Sequence, residues 1–152
     1  MTVRPARIPE EVDLIRGLFR EYAAGLGVDL CFQRFEEELA GLPGAYAPPG
    51  GRLLLACDGD RVAGCVALRP ATGGGEMKRL YVRPEFRGRG VGRLLAGAVL
   101  VEAAAAGYRR VCLDTLPSMG EAIGLYRSLG FAEVEPYYPN PVPGALFLAR
   151  DL

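Results

Sequence analysis

The middle of the chain carries the stretch Arg87-Gly88-Arg89-Gly90-Val91-Gly92, on which the interpretation of the whole sequence rests. It follows a predicted strand, Met77 to Val82, and precedes an Ala-, Leu- and Val-rich segment that is typical of a helix. At the beginning of such a helix several backbone N–H groups lack an intrahelical partner and point outward at the positive end of the helix dipole. Glycines let a ligand come close to this backbone. The stretch therefore predicts a site for a pyrophosphate or another anion.

Other phosphate-binding motifs fit these residues less well. A dinucleotide fingerprint that began at Gly88 would need glycine at the position of Arg93, and a P-loop would need a Gly-Lys-Ser/Thr sequence. Arg87, Arg89 and Arg93 add charge-assisted donors for an anion. The simpler alternative is a glycine-rich turn between a strand and a helix, with its arginines in solvent.

Hydrophobic periodicity and turn residues predict a mixed α/β fold with a sheet of six or seven strands. Antiparallel hairpins at both ends surround a central strand–helix–strand unit, which should be parallel and right-handed, with helices on both faces of the sheet. Segment 71–75 is predicted as a loop. The predicted elements are an extended start at 2–7, a helix after Pro9, a short helix from Phe32 to Leu39, strands at 52–57, 61–69 and 77–82, a helix from Gly90 to about Ala106, a strand at 110–114, a helix from a capping box at Ser118–Glu121 to Leu129, and strands at 131–138 and 145–152.

Length and charge limit the classes of protein to consider. The 152 residues suit a single domain that spans residues 1–152. With 18 basic and 18 acidic residues the formal net charge is zero, which argues against broad electrostatic attraction to nucleic acid or to an anionic membrane. The sequence also has no apolar run long enough for a membrane span and no signal-peptide core at its start. We therefore expect neither nucleic acid nor a membrane as a partner.

The cysteines predict free thiols and no metal site. Cys31, Cys57, Cys65 and Cys112 form no CxxC or CxxH pair, and the chain has no histidine, which argues against zinc. If a two-residue turn closes the hairpin of the second and third strands, Cys57 and Cys65 lie on its opposite faces and cannot bridge. Free thiols fit a reducing compartment, so we expect a cytoplasmic protein.

Two further segments extend the central stretch into a family resemblance. The stretch 87–92 matches the R/Q-x-x-G-x-G/A pyrophosphate loop of the GNAT acetyltransferase superfamily, and residues 76–86 (EMKRLYVRPEF) resemble that superfamily's fourth strand and the turn after it. Residues 122–131 (AIGLYRSLGF) resemble its A-x-x-L-Y-x-x-x-G-F signature. The motifs follow the family's order and separation, and the resemblance covers about residues 52–131. It implies a GNAT-like fold, splayed between its fourth and fifth strands, and an N-acetyltransferase that moves the acetyl group of acetyl-CoA to a primary amine by direct attack in a ternary complex.

The resemblance also implies which residues contact acetyl-CoA. Backbone groups of the fourth strand would bind the pantetheine amides, and the N–H of Leu80 would polarise the thioester carbonyl. Family members often carry asparagine three residues before Ala122, where this chain has Met119. The implied cofactor-binding residues are Leu80, Tyr81, Val82, Arg87, Gly88, Arg89, Gly90, Val91, Gly92 and Arg93.

Two residues receive catalytic roles from the same resemblance. Tyr126, which precedes x-x-x-Gly-Phe, would protonate the leaving thiolate, because a coenzyme A thiol is a fair leaving group and a phenol suffices as its acid. Glu76, which opens the fourth strand, would act as the base through a water molecule. Asp114, at the end of the fifth strand, is a second candidate for the base and could equally cap the following turn.

The amine acceptor would meet the second helix region and the last hairpin loop. The aromatic, proline-rich run 137–141 favours substrate contact, whereas the helical spacing of the two phenylalanines also suits a core position. We expect a small-molecule or peptide amine as acceptor and a monomer or homodimer as the assembly. The candidate acceptor-binding residues are Phe32, Phe35, Tyr137, Tyr138 and Asn140.

Two functions from other classes remain open at this point. A non-catalytic acetyl-CoA-binding sensor or partner module would keep residues 87–93 but would have no need of Tyr126 or Glu76. An RNA-binding module that used the arginines around Gly88 would need a wider basic face than a chain of zero net charge offers.

Overall fold

A seven-stranded mixed sheet with helices on both faces forms the described part of the chain, residues 1–30 and 34–152 of the computed structural model. This confirms the predicted mixed α/β class. The strands are β1 Thr2–Pro5, β2 Arg52–Asp58, β3 Arg61–Ala71, β4 Gly74–Val82, β5 Arg110–Thr115, β6 Ala132–Glu133 and β7 Leu146–Asp151, in the sheet order β1-β2-β3-β4-β5-β7-β6. The helices are α1 Val12–Leu26, α2 Phe35–Ala40, α3 Val91–Ala105 and α4 Gly120–Ser128, with short 3-10 turns at Gly44–Tyr46 and Pro84–Phe86.

The sheet separates two hydrophobic cores. In α1, the residues Ile15, Leu18 and Phe19 recur at helical spacing and are fully buried in the second core, which α1 and α2 form against one sheet face. On the other face α3 buries residues such as Leu95 and Val99 in the first core. Residues along each strand alternate between the two cores, so β2 to β4 are buried on both faces.

A bulge in the β2–β3 hairpin overturns one prediction about the cysteines. The pairing passes from Ala56 opposite Gly64 to Cys57 opposite Val62, so β3 contributes one extra residue. This shift brings the side chains of Cys57 and Cys65 into the same second core. The prediction that they lie on opposite faces is therefore wrong, because it assumed unbroken alternation. Both thiols are free, as predicted, and both are buried.

A second bulge opens the sheet between β4 and β5. Cys65 pairs with Tyr81 and Ala67 with Lys78, so two residues of β4 oppose one residue of β3. At this bulge Arg79 has a φ of 59°, a value that few residues with a side chain adopt. The parallel pairing of β4 with β5 is confined to Gly75 opposite Val111 and Glu76 opposite Cys112. Beyond these pairs the two strands diverge and leave a gap.

Three predicted elements differ from the observed ones. The predicted loop 71–75 is a tight turn, because β3 runs to Ala71 and β4 begins at Gly74. The predicted capping box is wrong, since α4 begins at Gly120 and its N-cap residue, Met119, makes no side-chain cap bond. The predicted strand 131–138 shrinks to Ala132–Glu133, because the prolines that follow lack the N–H groups that a ladder requires.

Candidate active site

The gap between β4 and β5 forms a pocket in the described part of the chain. It opens toward both cores, since residues of each core line it. From the first core come Met77, Leu80, Leu113 and Tyr126, and from the second Tyr22, Leu26 and Leu30. The remaining lining residues are Lys78, Arg79, Asp114, Thr115, Leu116, Met119 and Asn140. Residues from both faces of the sheet therefore surround the gap.

The predicted anion site forms the turn between β4 and α3. Gly88 and Gly90 have φ values of 79° and 75°, in the left-handed region that glycine adopts without strain. The first hydrogen bond of α3 runs from Leu94 N–H to the Gly90 carbonyl at 3.1 Å. The N–H groups at positions 91–93 therefore have no intrahelical acceptor and lie at the positive end of the helix dipole.

The arginines of this turn are held by neighbouring groups. Arg87 Nε donates to the Val82 carbonyl at 3.0 Å, and Arg93 Nη2 donates to Ser128 Oγ at 2.7 Å, which links α3 to α4. The Arg89 guanidinium lies over the Phe86 ring at 5.5 Å. These contacts keep positive charge around the turn.

The three predicted contact residues of β4 have different surroundings. Leu80 lies at the bulge and lines the gap, where the absence of β5 pairing frees the inner edge of β4. Val82 packs against the first core and its carbonyl accepts from Arg87. Tyr81 points to the opposite face, and its hydroxyl donates to Glu21 Oε1 of α1 at 3.1 Å. Its side chain thus holds α1 against the strand.

Tyr126 lies in the wall of the gap. It is buried in the last turns of α4, and its ring meets the Phe131 ring edge to face, with 5.8 Å between the centroids. Burial raises the pKa of the Tyr126 hydroxyl, so this phenol stays protonated over the working range of most enzymes. It can therefore donate a proton within the gap.

Glu76 is buried and directly precedes Met77, the first residue of β4 in the lining of the gap. Arg69 Nε donates to its Oε1 at 2.8 Å, and the Tyr137 hydroxyl donates to its Oε2 at 2.8 Å. Each carboxylate oxygen of Glu76 thus already accepts a hydrogen bond. Its side chain joins β3, β4 and the loop before β7, and it does not belong to the lining of the gap among the described residues.

Asp114 lies in the wall of the gap and is the centre of a polar cluster. Its Oδ2 accepts hydrogen bonds from the Tyr138 hydroxyl and from Asn140 Nδ2, the latter at 2.9 Å. Lys78 Nζ lies 3.6 Å from its Oδ1, on the other side of the opening. Because Asn140 Oδ1 also accepts the Val142 N–H at 2.9 Å, the cluster fixes the loop between β6 and β7 over the gap.

Two basic residues of β4 are buried beside this cluster. Burial lowers the pKa of the Lys78 amine, against the opposing effect of the nearby Asp114 carboxylate. Arg79 donates to both oxygens of Glu38 on α2, at 2.8 and 3.0 Å, and its guanidinium lies 5.2 Å from the centre of the Phe35 ring. On its second-core side, the gap is therefore lined by two basic side chains of a buried strand.

The model of the acetyltransferase (GNAT) family matches residues 15–131. The chain belongs to this family. An uncharacterized N-acetyltransferase of Schizosaccharomyces pombe is 40% identical over 155 residues, which cover 100% of this chain and 95% of the relative. The IAA acetyltransferase of Azospirillum brasilense is 39% identical over 70% of this chain and 71% of its own length. The solved structure of the PaiA N-acetyltransferase from Thermoplasma acidophilum in complex with coenzyme A has a TM-score of 0.75 at 15% identity and covers 100% of both chains.

As a GNAT protein the chain is an acyltransferase, and its predicted site residues can now be compared with the gap. The structure brings Tyr126, Leu80 and Asn140 together in its lining, with Tyr138 bound to the lining residue Asp114. Phe35 is buried in the second core. Phe32 lies outside the described residues. Tyr137 contacts Glu76 below the gap and borders a separate surface groove.

Sequence reasoning missed Lys78 as a site residue of this GNAT domain. The available signal was compositional, since Lys78 is the only lysine in a chain whose other basic residues are arginines. The strand pattern favoured a solvent-exposed lysine, because charged side chains at strand ends are mostly solvated. In the structure this amine is buried. No helix among residues 1–30 and 34–152 is long and apolar enough to cross a bilayer.

Proposed function

We propose that this GNAT protein transfers the acetyl group of acetyl-CoA to a primary amine, by direct attack while donor and acceptor are bound together. One observation carries the proposal: the gap between β4 and β5 opens toward both faces of the sheet, and Tyr126 lies in its wall. Donor and acceptor can then enter from opposite faces and meet between the strands. This arrangement supports a ternary complex, because two reactants held side by side react as if in a unimolecular step.

The residues at the β4–α3 turn fit the phosphates of the coenzyme. A Cβ added at Gly88 or Gly90 would meet nothing within 4 Å, so the space above the turn is open, and the positive φ at both favours glycine. The backbone N–H groups at 91–93 would bind the pyrophosphate, with positive charge from Arg87, Arg89 and Arg93. The free inner edge of β4 at Leu80 to Val82 would bind the pantetheine amides. Met119 lines the gap and offers a thioether where family members often have an amide.

Acetyl-CoA supplies an activated acetyl group, whose thioester bond breaks as the amine nitrogen bonds to its carbonyl carbon. We propose that Tyr126 gives its proton to the leaving thiolate, a role supported by its buried, protonated phenol, and that the proton which the attacking nitrogen then loses restores the phenol. The ammonium of the acceptor must first lose a proton. Glu76 acting through water and Asp114 are the two carboxylates proposed for this step. Asp114 has the more direct access, because it lines the gap.

The acceptor is proposed to be a small-molecule or peptide amine that enters over α1 and the loop before β7. Tyr138 and Asn140 fix that loop at Asp114, which supports their role in acceptor binding. Phe35 would act from the core, by supporting Arg79. The sheet runs from residue 2 to residue 151, which supports one domain, and the free thiols support a reducing compartment such as the cytoplasm.

The experiment is a thermal melt combined with an assay of coenzyme A release. Acetyl-CoA should stabilise the folded protein by RT ln(1 + [L]/Kd), which is about 2.7 kcal/mol at 100 times Kd, and should therefore raise the melting temperature. NAD and ATP at equal concentration should raise the melting temperature much less. Release of coenzyme A is then measured with tyramine, spermidine, glucosamine, glutamate and a peptide with a free N-terminus. Stabilisation without release on any of these amines would favour a binding module. No stabilisation by millimolar acetyl-CoA would contradict the proposal.

A further inference from the structure

The Lys78–Asp114 pair spans the gap at the point where the sheet opens. Glu76 and Cys112 form the last backbone pair of β4 with β5, and Lys78 and Asp114 come two residues later on each strand. Their side chains therefore project from the same sheet face, toward the second core. The Nζ–Oδ1 distance of 3.6 Å exceeds that of an ordinary hydrogen bond, so the two groups oppose each other across the opening.

Both groups are buried, yet both line the opening that a ligand would enter. The side chains of Lys78 and Asp114 are 4% and 7% exposed. Taking a lysine and a carboxylate out of water costs several kcal/mol per ion. Tyr138 and Asn140 hold Asp114 from the side away from the lysine. The arrangement thus fixes a carboxylate and an amine on facing walls.

We propose that Lys78 takes the proton from the ammonium of the acceptor, while Asp114 binds that ammonium beside it. The inference rests on the proposed function and assigns the removal of this proton to Lys78 in place of Glu76 or Asp114. The N–H bond of the ammonium breaks and a bond from that proton to Nζ forms, which gives a neutral acceptor amine and a lysine ammonium. After the product leaves, Lys78 returns the proton to water.

The surroundings of Lys78 favour a neutral amine. Burial lowers its pKa as the largest effect, and the positive charges of Arg79 and Arg69 lower it further. The negative charges of Asp114 and Glu76 raise it in part. Glu76 is less suited to the step itself, because its two oxygens accept from Arg69 and Tyr137. Among the described residues, the ionisable groups around Lys78 include Arg69 on β3, Glu76 and Arg79 on β4, Asp114 on β5, and the phenols of Tyr22 on α1, Tyr126 on α4 and Tyr138 in the loop.

The first test measures the ionisation of Lys78 without any reaction. Lys78 is the only lysine, so protein labelled with ¹³C-lysine gives one Cε resonance, which is followed against pH. We expect a midpoint below the ordinary lysine value of about 10.4. In Asp114→Asn the midpoint should fall further, because a carboxylate that favours the charged amine is gone. A wild-type midpoint at or above the ordinary value would overturn the proposal.

The second test links this midpoint to turnover. With whichever of tyramine, spermidine, glucosamine or glutamate the wild type acetylates fastest, kcat/KM should rise with pH through the midpoint that the Cε resonance reports. In Asp114→Asn the rising limb should move by the same amount as that midpoint. A rising limb of kcat/KM that stays in place while the Cε midpoint shifts would contradict the role of Lys78 as the base. The ionisation of a merely structural lysine would not control turnover.

The third test uses two variants of the lysine. Lys78→Arg keeps a positive charge opposite Asp114 but cannot lose a proton, and Lys78→Met keeps the length without the charge. Both should lose about 10²–10⁴-fold in kcat while acetyl-CoA still raises their melting temperatures. Wild-type kcat in Lys78→Arg would overturn the proposal, as would a loss of kcat in Glu76→Gln but in neither lysine variant.

If both lysine variants fail to fold, the shared pH shift in the second test decides. A wild type that binds acetyl-CoA but acetylates no amine contradicts the proposed function instead, and the Cε titration still reports on Lys78.

Discussion

At the residue scale, the chemistry depends on side chains whose ionisation is set by burial. The Tyr126 phenol and the Lys78 amine both line the gap, and for each of them burial disfavours the charged form. These preferences support the proposed roles of the phenol as a proton donor and of the amine as a proton acceptor. The two proposed roles are complementary, and both side chains lie in one gap between two strands.

Tyr126→Phe separates catalysis from packing, because it removes only the hydroxyl. The ring should keep its edge-to-face contact with Phe131, so stability and acetyl-CoA affinity should barely change. We expect kcat to fall by about 10²–10⁴-fold, the usual range for a general acid. Steady-state kinetics and thermal melts on the same two proteins check this. An unchanged kcat would remove the acid role, and lower stability with unchanged kcat would indicate a structural tyrosine.

Gly90→Ala tests the turn, with Gly97→Ala as its matched control. An added Cβ meets nothing within 4 Å at either glycine, but only Gly90 has a positive φ. The Gly90 variant should lose about 1–2 kcal/mol of stability through backbone strain and bind acetyl-CoA at least about tenfold more weakly. Gly97→Ala, inside α3, should gain up to about 1 kcal/mol and bind normally. Equal dissociation constants for the two variants would contradict the phosphate assignment.

At the element scale, hydrogen-bonded carboxylates connect the helices to the strands. Glu11 precedes α1 and accepts two bonds from Arg4 of β1, both at 2.7 Å, and the backbone N–H of Arg7 at 2.7 Å. The bonds from Arg4 are the main cause that lowers the pKa of Glu11, to about 2. Glu21 on α1 likewise accepts a hydrogen bond from Arg83, which follows β4. These contacts orient α1, and α1 in turn carries one wall of the gap.

Glu11→Gln should make stability depend less on pH. Because the folded pKa of about 2 lies below the usual 4.5, Glu11 stabilises the fold fully above pH 4.5 and loses this effect as the pH falls toward 2. The variant should be about 1–2 kcal/mol less stable than wild type at pH 7, and the difference should vanish near pH 2. Urea unfolding across this range measures it, with Glu10→Gln, an exposed neighbour, as control. A difference that persists at pH 2 would contradict the assignment.

At the scale of the whole molecule, the sheet lies between two cores, and residues of both cores line the gap between β4 and β5. The charged face of β4 is sealed by α2, whose Glu38 binds Arg79 with both oxygens. The Phe35 and Tyr22 rings lie near the same guanidinium, 5.2 and 5.8 Å from it. Buried pairs of this kind cost desolvation energy, so their main effect is to fix which elements meet.

Glu38→Gln should destabilise the protein by about 2–4 kcal/mol, because it takes the carboxylate from a guanidinium that is 2% exposed. Glu37→Gln on the same helix is the matched control. Glu37 pairs with Arg34 in solvent, where the side chains are 65% and 77% exposed, so its loss should cost less than about 1 kcal/mol. Chemical denaturation of the three proteins measures both values. Equal effects would show that the buried pair does not hold α2 to β4.

The sequence by itself determined the features that depend on local chemistry. Strand and helix order and the turn at 87–92 follow from periodicity, glycine and spacing within short segments, and the fold bears out this order. The α4 signature was identified by its resemblance to the family. Tertiary structure alone decided what depends on pairing between distant segments. The bulge at Arg79 shifts the register and opens the gap, and the opening then brings Lys78 opposite Asp114 and the loop with Asn140 over both. No short segment determines these contacts between distant residues, because strand register depends on the burial of both sheet faces at once.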